Sequence, residues 1–244
     1  LTNVARVAQS PAGQVYLASS YDRTGGNSDW AQWPEARPGG EVEVVNLQGP
    51  GCIKRMWMTS MPAEEWRFFF DGESTPRIKG TSAEIFGGRF PFAPPLSGCV
   101  SGGYYSYIPL PFAKSLRISI RLPAEYGPAC RGYYHVNYEL YGKNATVASF
   151  PARLDEGQEQ LVRDVGRAWN DERGALARAI QACPATNRWE LAPGQTVTWL
   201  EQKGGGTLKS FYLRLNAPPG SSALAKARML REVVLRVSYD GEDV

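Results

Sequence analysis

Residues 38–59 read PGGEVEVVNLQGPGCIKRMWMT. Apolar residues alternate with polar ones at Val42 and Val44, and the alternation resumes around Ile53 after a glycine-containing break. A period of two is typical of a strand that buries one of its faces. The stretch therefore predicts two successive strands of an antiparallel β structure.

The same pattern recurs later in the chain. Residues 193–214 read PGQTVTWLEQKGGGTLKSFYLR and align with residues 38–59 without a gap. The identical positions are Pro38, Gly39, Val42, Gly49, Gly51 and Lys54 in the first copy, and Pro193, Gly194, Val197, Gly204, Gly206 and Lys209 in the second. Such a repeat predicts two units built on one β fold.

Each copy is followed by an apolar strand that ends in an Asp-Gly turn. The two strands read RFFFDGE at 67–73 and RVSYDGE at 236–242. Asp-Gly after an apolar run is typical of a tight hairpin turn. Because the acids of these turns occur in both units, we assign them to the fold. They are Asp71, Glu73, Asp240 and Glu242.

The first unit continues with three more strand-like segments, 103–112, 115–122 and 133–140, bounded by glycine and proline. Eight or so short strands favour a sandwich or jelly roll. The sequence has no counterparts of these segments after the second copy of the repeat. The second unit is therefore expected to be only begun, with 196–200 and 208–215 as its first strands, and to be completed by a separate polypeptide, because unpaired strand edges are avoided.

Helical patterns lie between and within the units. Apolar residues in 152–183 follow a helical spacing, which predicts one or two helices packed on the outside of the β domain. Ser221 or Ser222 is placed to cap a shorter helix that runs through Leu230. The predicted organisation is a first unit over 1–150, a helical connector over 151–192 and a second unit over 193–244.

Composition excludes several functions. With 27 basic and 24 acidic residues, the net charge of +3 is too small for a nucleic-acid partner. No apolar run approaches the roughly 18 residues that a membrane span needs. The four cysteines form no C-x-x-C pair and the chain has a single histidine, so we expect no metal and no cofactor. A disulfide between Cys99 and Cys130 is plausible if the strands that follow them end close together.

The segment with the most distinctive chemistry is SSYDRTGGNSDW, residues 19–30. It combines carboxylates, a guanidinium, an amide and aromatic faces around two glycines, a mixture suited to binding the hydroxyls and ring faces of a sugar. The candidate substrate-binding residues are Tyr21, Asp22, Arg23, Asn27, Asp29 and Trp30. The alternative is an Asp- and Asn-rich loop whose side chains satisfy its own backbone.

Other residues that could belong to a binding site are of types that more often have structural roles. In 133–140, alternation places His135 on a polar face, where it lines a pocket or an interface or, more commonly, makes a structural hydrogen bond. Tyr104, Tyr105 and Tyr107 form either a stacking platform or ordinary cross-strand packing. Trp57 and Trp66 belong to the strands around the repeat and are predicted to lie in the core.

Taken in order, the motifs at 19–30, 38–59, 70–73, 101–118 and 133–141 resemble a bacterial domain family that includes glycoside hydrolase family 172, the α-D-fructofuranosidase, difructose-dianhydride and D-arabinofuranosidase group. The resemblance covers nearly the whole chain. It implies a double jelly roll with the first roll complete, assembled as a homotrimer or larger oligomer. It also implies an oligosaccharide or polysaccharide substrate bound near a subunit interface.

The resemblance further implies hydrolysis of an O-glycosyl bond, or its intramolecular transfer, by a pair of glutamates beyond Val244, so that no catalytic residue can be assigned within these 244 residues. On this interpretation the protein is the N-terminal part of a secreted or periplasmic furanosidase. A non-catalytic jelly roll that forms a shell, a filament or a carbohydrate-binding surface is the alternative.

Overall fold

The computed structural model describes residues 11–31, 33, 36–127, 131–171, 174, 187–206, 208, 211, 213–239 and 242–243. The chain divides into two compact units. Unit 1 is Leu1–Glu172 and unit 2 is Arg173–Val244.

The described part of unit 1 is a β-sandwich of two antiparallel sheets. Its strands are β1 (Gln14–Ser19), β2 (Glu41–Gln48), β3 (Gly51–Thr59), β4 (Glu65–Phe70), β5 (Ile78–Gly80), β6 (Ser97–Val100), β7 (Gly103–Ser106), β8 (Leu110–Phe112), β9 (Ser115–Arg121) and β10 (Tyr133–Leu140). Sheet A has the order β1-β10-β3-β7-β6, with β8 also paired to β3. Sheet B has the order β2-β9-β4-β5. The mainly β class is confirmed.

The two strands predicted from residues 38–59 are present as β2 and β3. They do not pair with each other, because the chain passes from sheet B to sheet A at Gly49 and Pro50. β2 pairs with β9 and β3 pairs with β10, both antiparallel. This stretch therefore contributes one strand to each layer and connects the two sheets of the sandwich.

The core lies between the sheets and is fully enclosed. Its members with almost no exposed surface include Ile53, Met56 and Met58 from sheet A, and Trp66, Phe68, Phe70, Leu116, Ile118 and Ile120 from sheet B. Trp66 is therefore a core residue, as predicted. On β10, Val136 lies in the core, and Tyr134, Tyr138 and Leu140 pack against it, so the predicted faces of this strand are also confirmed.

Trp57 was predicted to lie in the core, and that prediction is wrong. The register between β3 and β10 shifts by one residue, because Asn137 pairs with Arg55 whereas Tyr138 pairs with Ile53. This bulge interrupts the alternation, and Trp57 occupies the outward position between the buried Met56 and Met58. The indole is only partly buried, on the outer face of sheet A.

The predicted strand over 103–112 is two strands, β7 and β8. Both pair with β3, on either side of its bulge, so the chain leaves the ladder between them. Tyr107 in this break donates its backbone N–H to Leu96 O at 2.8 Å. Of the three tyrosines in this segment, Tyr104 packs against the core.

The Asp-Gly turn after β4 is formed as predicted. Asp71 and Gly72 both have positive φ, 53° and 85°, and the Glu73 amide donates to Phe70 O at 2.9 Å. Asp71 Oδ1 also accepts from the Lys114 amide at 2.7 Å, which attaches the turn to the start of β9. Asp71 and Glu73 are therefore turn residues. The matching Asp240 lies outside the described residues.

Helix α1 (Glu156–Asn170) lies within the stretch predicted to be helical. Asp155 caps it, because its side chain accepts from the Gln158 amide at 2.8 Å while Gln158 Oε1 accepts from the Asp155 amide at 3.0 Å. Trp169 packs against Tyr107, with ring centroids 5.3 Å apart. The helix is therefore attached to the outside of the sandwich, as expected. The later part of the predicted stretch, 175–183, lies outside the described residues.

Unit 2 contains α2 (Ala223–Glu232), β11 (Ser238–Tyr239) and β12 (Glu242–Asp243), the two strands being paired with each other. Ser222 caps α2, because its hydroxyl accepts from the Ala225 amide at 3.2 Å, which confirms the predicted cap. Among the described residues of both units, no helix is both long and apolar enough to cross a membrane.

Among the described residues of 193–214, the repeat is formed only at its opening turn. Gly194 has a positive φ like Gly39, and the Gln195 amide bonds Ala192 O as the Gly40 amide bonds Arg37 O. The predicted strand over 196–200 is absent, and the described residues of 208–215 belong to no strand. A strand requires a partner for its backbone donors and acceptors, and the described part of unit 2 supplies none here.

The expected disulfide of Cys99 is not formed, because Cys99 is an exposed free thiol on β6. Two strands, β7 and β3, separate β6 from β10, so the ends of β6 and β10 do not meet. Cys130 lies outside the described residues.

Replacement of Ile118 tests the enclosed core. Ile118→Ala on β9 removes a side chain with no exposed surface, so we expect the free energy of unfolding to fall by about 2–5 kcal/mol. Val100→Ala, at a site that is 65% exposed, serves as the control and should stay within about 0.5 kcal/mol. Urea unfolding monitored by circular dichroism measures both, and equal losses would contradict the assignment of the core.

Candidate functional site

The loop over residues 19–30 follows edge strand β1 and is attached at both ends to the start of β10. The Ser20 amide donates to Tyr134 O at 3.2 Å, and the Tyr134 amide donates back to Ser20 Oγ at 3.2 Å. At the other end, the Ala31 amide donates to Gly132 O at 2.7 Å. These bonds fix where the loop leaves and rejoins the sandwich.

Two of the predicted site residues shape the loop itself. Asp22 accepts from the Thr24 hydroxyl at 2.7 Å, the Thr24 amide at 2.9 Å and the Ser28 amide at 3.1 Å. The hydrogen bonds from Thr24 and Ser28 hold the pKa of Asp22 below its ordinary value. Asp29 Oδ1 accepts from the Asp22 amide at 2.7 Å. These two carboxylates therefore accept hydrogen bonds from the backbone of their own loop, as expected for an Asp- and Asn-rich loop.

The other four predicted residues have exposed or half-buried side chains. The Arg23 guanidinium lies over the Tyr21 ring, 4.8 Å from its centroid, and donates long hydrogen bonds to Tyr21 O at 3.4 Å and Ser19 O at 3.5 Å, while both side chains remain exposed. Asn27 is exposed, and its side chain makes no hydrogen bond to any residue that the structure describes. One face of Trp30 is covered by the Arg131 guanidinium at 4.1 Å. The solvent side of the loop therefore presents Tyr21, Arg23 and Asn27, with Trp30 half buried beside them.

The loop adjoins an aromatic surface that the sequence did not reveal. Ser19, the last residue of β1, pairs with His135 of β10, which in turn pairs with Trp57 of β3. The rings of His135 and Trp57 have centroids 5.5 Å apart. The signals in the sequence were His135 on a polar face of its strand, and Lys54-Arg55, two successive polar residues that break the alternation and mark the bulge.

Further along the same face, Glu139 is 5% exposed and carries a buried charge. Its Oε2 lies 2.9 Å from Lys54 Nζ, and its Oε1 accepts from the Gly13 amide at 2.7 Å. Burial favours the neutral acid, but the bonds from Lys54 and Gly13 outweigh it and lower the pKa of Glu139. Lys54 also donates to the Tyr141 hydroxyl at 3.1 Å. This arrangement holds the start of β1 against the sheet and is structural.

Two clefts in unit 1 lie elsewhere. One, of about 370 Å³, is lined by Lys79, Arg89 and Arg153 among others, and the second, of about 640 Å³, lies between residues 90–96 and α1. Neither is lined by residues 19–30. Within the described ranges, no three His, Cys, Asp or Glu side chains are grouped in a way that would hold a metal ion.

Comparison with known families identifies the sandwich. Residues 11–158 match the family described as the GH172 first beta-sandwich domain, which is more than half of the chain. The matched region includes the loop, all strands of both sheets and the start of α1. No curated protein matches the chain.

The buried Glu139 makes stability depend on pH. Because its pKa is lower in the folded protein, its contribution is complete above the pKa of the unfolded chain, near 4.3, and is lost as the pH falls through the folded value. We expect Glu139→Gln to lower the free energy of unfolding by about 1–2 kcal/mol at pH 7. Once the pH is well below 4, the variant and the wild type should unfold at the same urea concentration. Glu43→Gln, at an exposed position of β2, is the control, and a Glu139→Gln penalty that is constant with pH would contradict the assignment.

Proposed function

The chain belongs to the GH172 family of glycoside hydrolases, and we propose that it forms part of an enzyme that cleaves furanosides of the fructofuranoside or arabinofuranoside type. The observation that carries the proposal is the loop over 19–30, which lies inside the matched region and combines a fixed backbone with an exposed guanidinium, amide and aromatic ring. A sugar site needs this combination, because hydroxyl groups are distinguished by donors and acceptors held in place before binding.

In this proposal the six loop residues divide into two roles. Asp22 and Asp29 hold the loop in shape through their bonds to its backbone. Arg23 and Asn27 bond the hydroxyls of the sugar, while Tyr21 and the open face of Trp30 contact its ring. A guanidinium presents several donors in one plane and can bond two neighbouring hydroxyls at once.

Bond cleavage is assigned to a pair of glutamates in polypeptide that follows Val244. One protonates the leaving oxygen, and the other attacks the anomeric carbon or activates the water that does. A separation of about 5–5.5 Å between the two carboxyl groups leads to retention of configuration, and about 6.5–9.5 Å leads to inversion. The double jelly roll and the assembly into trimers or larger oligomers belong to the same proposal.

The exposed apolar side chains of unit 2 support its completion by further polypeptide. Its exposed large apolar side chains include Leu191, Leu200, Phe211, Leu213, Leu224, Leu230 and Val234. Soluble proteins rarely leave so many such residues uncovered in one segment of the chain. We propose that residues 193–244 pack against the rest of a precursor or against a partner chain, which supplies the missing strands.

Replacement of Asn27 tests the role of the loop. In the intact assembly that contains this chain, we expect Asn27→Ala to lower kcat/KM on nitrophenyl furanosides at least tenfold, because an uncommitted amide that bonds substrate is lost. The melting temperature should not change, since Asn27 is exposed. Asn144→Ala, at another exposed loop asparagine, is the control and should match the wild type.

Either of two results would contradict this function. If the wild-type assembly cleaves none of a panel of fructofuranosides and arabinofuranosides, the furanosidase proposal is wrong. If it binds glycans without cleaving any, the non-catalytic alternative is correct.

Hydrogen exchange tests the completion of unit 2. The amides of 193–206 should exchange within seconds in the isolated 244-residue chain, because these residues belong to no sheet there. In the natural assembly they should be protected by orders of magnitude. The amides of β9, which are paired on both sides in sheet B, are the internal control. Equal exchange of 193–206 in both samples would show that no further polypeptide covers this segment.

A further inference from the structure

The outer faces of the two sheets differ in how fully their side chains are paired. On sheet B, Arg67 bonds Glu41 at 2.6 Å and Glu65 at 2.7 Å. Arg117 lies 3.8 Å above the Phe69 ring and so covers the outward aromatic of this sheet. The charges on the outer face of sheet B are therefore paired and its aromatic ring is covered, as expected for a face that contacts only water.

The outer face of sheet A carries a ring that is not covered in this way. Trp57 lies between His135 of β10 and Tyr105 of β7 in the register of the sheet. The indole extends toward Gly103, where a Cβ atom would lie only 3.0 Å from its Nε1. Glycine at this position therefore leaves room for the indole to extend across the neighbouring strand.

Polar groups around this ring are uncommitted. The indole N–H of Trp57 and the ring nitrogens of His135 form no hydrogen bond to the described residues, and His135 is exposed. Arg55 donates to Asn137 Oδ1 at 3.2 Å, which orients the Asn137 amide and leaves its N–H groups available. A ring with free donors beside it suits a ligand that has both C–H faces and hydroxyl groups.

We infer that Trp57, His135 and Asn137 form a second sugar-binding surface, on the outer face of sheet A, that extends the site of the 19–30 loop. This inference rests on the proposed function for the identity of its ligand. The loop follows Ser19, and Ser19 pairs directly with His135, so a chain of sugar units bound at the loop continues over His135 to Trp57. Three adjacent strands make this surface about 10 Å wide. Its ligand is an oligosaccharide, not a single sugar.

A protein partner is the other class of ligand for such a face. A protein interface needs a continuous apolar centre with few charged or hydrogen-bonding groups. Here the pair of Arg55 and Asn137 lies next to the pair of Trp57 and His135 on β3 and β10, so polar side chains adjoin the rings at the centre of the sheet. The density of free donors favours a polyhydroxylated ligand.

Trp57→Leu in the intact assembly tests the surface. We expect its affinity for a furanosyl oligosaccharide, measured by calorimetry, to fall about tenfold, because stacking on the indole is lost. Trp57→Phe keeps a ring but lacks the N–H and should lose about threefold. The loss in kcat/KM should be larger for the oligosaccharide than for a nitrophenyl monosaccharide. Phe69→Leu removes an aromatic ring from the outer face of the other sheet, at a position that is 6% exposed, and is the control for sugar affinity.

The outcomes separate this inference from the proposed function. If the wild type cleaves furanosides but Trp57→Leu binds the oligosaccharide as Phe69→Leu does, the surface is not a subsite and the furanosidase proposal stands. If the wild type cleaves no furanoside but binds another glycan in a manner that depends on Trp57, the surface is supported and the furanosidase proposal fails.

Two further results would overturn the inference. One is an unchanged affinity for sugar together with a smaller assembly mass of Trp57→Leu in light scattering, which would identify the face as a protein interface. The other is a wild-type protein with no measurable affinity for any glycan in the panel.

Discussion

The passage of the chain from sheet B to sheet A within two residues is the constraint on which the sandwich depends. β2 and β3 each bury one face, and the connection through Gly49 and Pro50 places those faces toward each other. Once these two strands are fixed, β9 and β10 pair beside them, and every later strand of unit 1 extends one sheet or the other. The direction in which each side chain points, inward or outward, follows from this arrangement.

The sequence predicts those parts of the structure that short-range patterns control. Alternation identified β2, β3 and the two faces of β10, and the Asp-Gly pair identified the turn after β4. Ser221 or Ser222 was predicted to cap α2, and Ser222 does so, because its hydroxyl satisfies a backbone amide of the first turn. Trp57 was misplaced because one extra residue in a strand moves the side chains beyond it to new positions, and a bulge is visible only when the partner strand is known.

The candidate site also divides into features that short-range patterns predict and features that depend on distant parts of the chain. Composition identified the loop over 19–30 but could not show which of its polar groups the fold already uses. Asp22 and Asp29 bond the loop backbone, whereas Asn27 does not. The contribution of His135 depended on its neighbours in β3 and β1, which are distant in sequence. In unit 2, the repeat predicted strands whose pairing depends on partners absent from the described residues, and only the opening turn, closed by a local hydrogen bond, is formed.

The position of β1 at the edge of sheet A has a consequence for synthesis of the protein. Among the described strands, β1 pairs only with β10, and the bond that joins Gly13 to Glu139 spans 126 residues. A ribosome that adds about 5–20 residues per second needs on the order of ten seconds to translate that interval. During this time β1 and the loop that follows it have no strand to pair with, so the end of the sandwich that carries the 19–30 loop forms only after β10 has been translated. Chaperones that protect nascent strands would therefore be expected to act on residues 14–30 for longer than on any other strand of the sandwich.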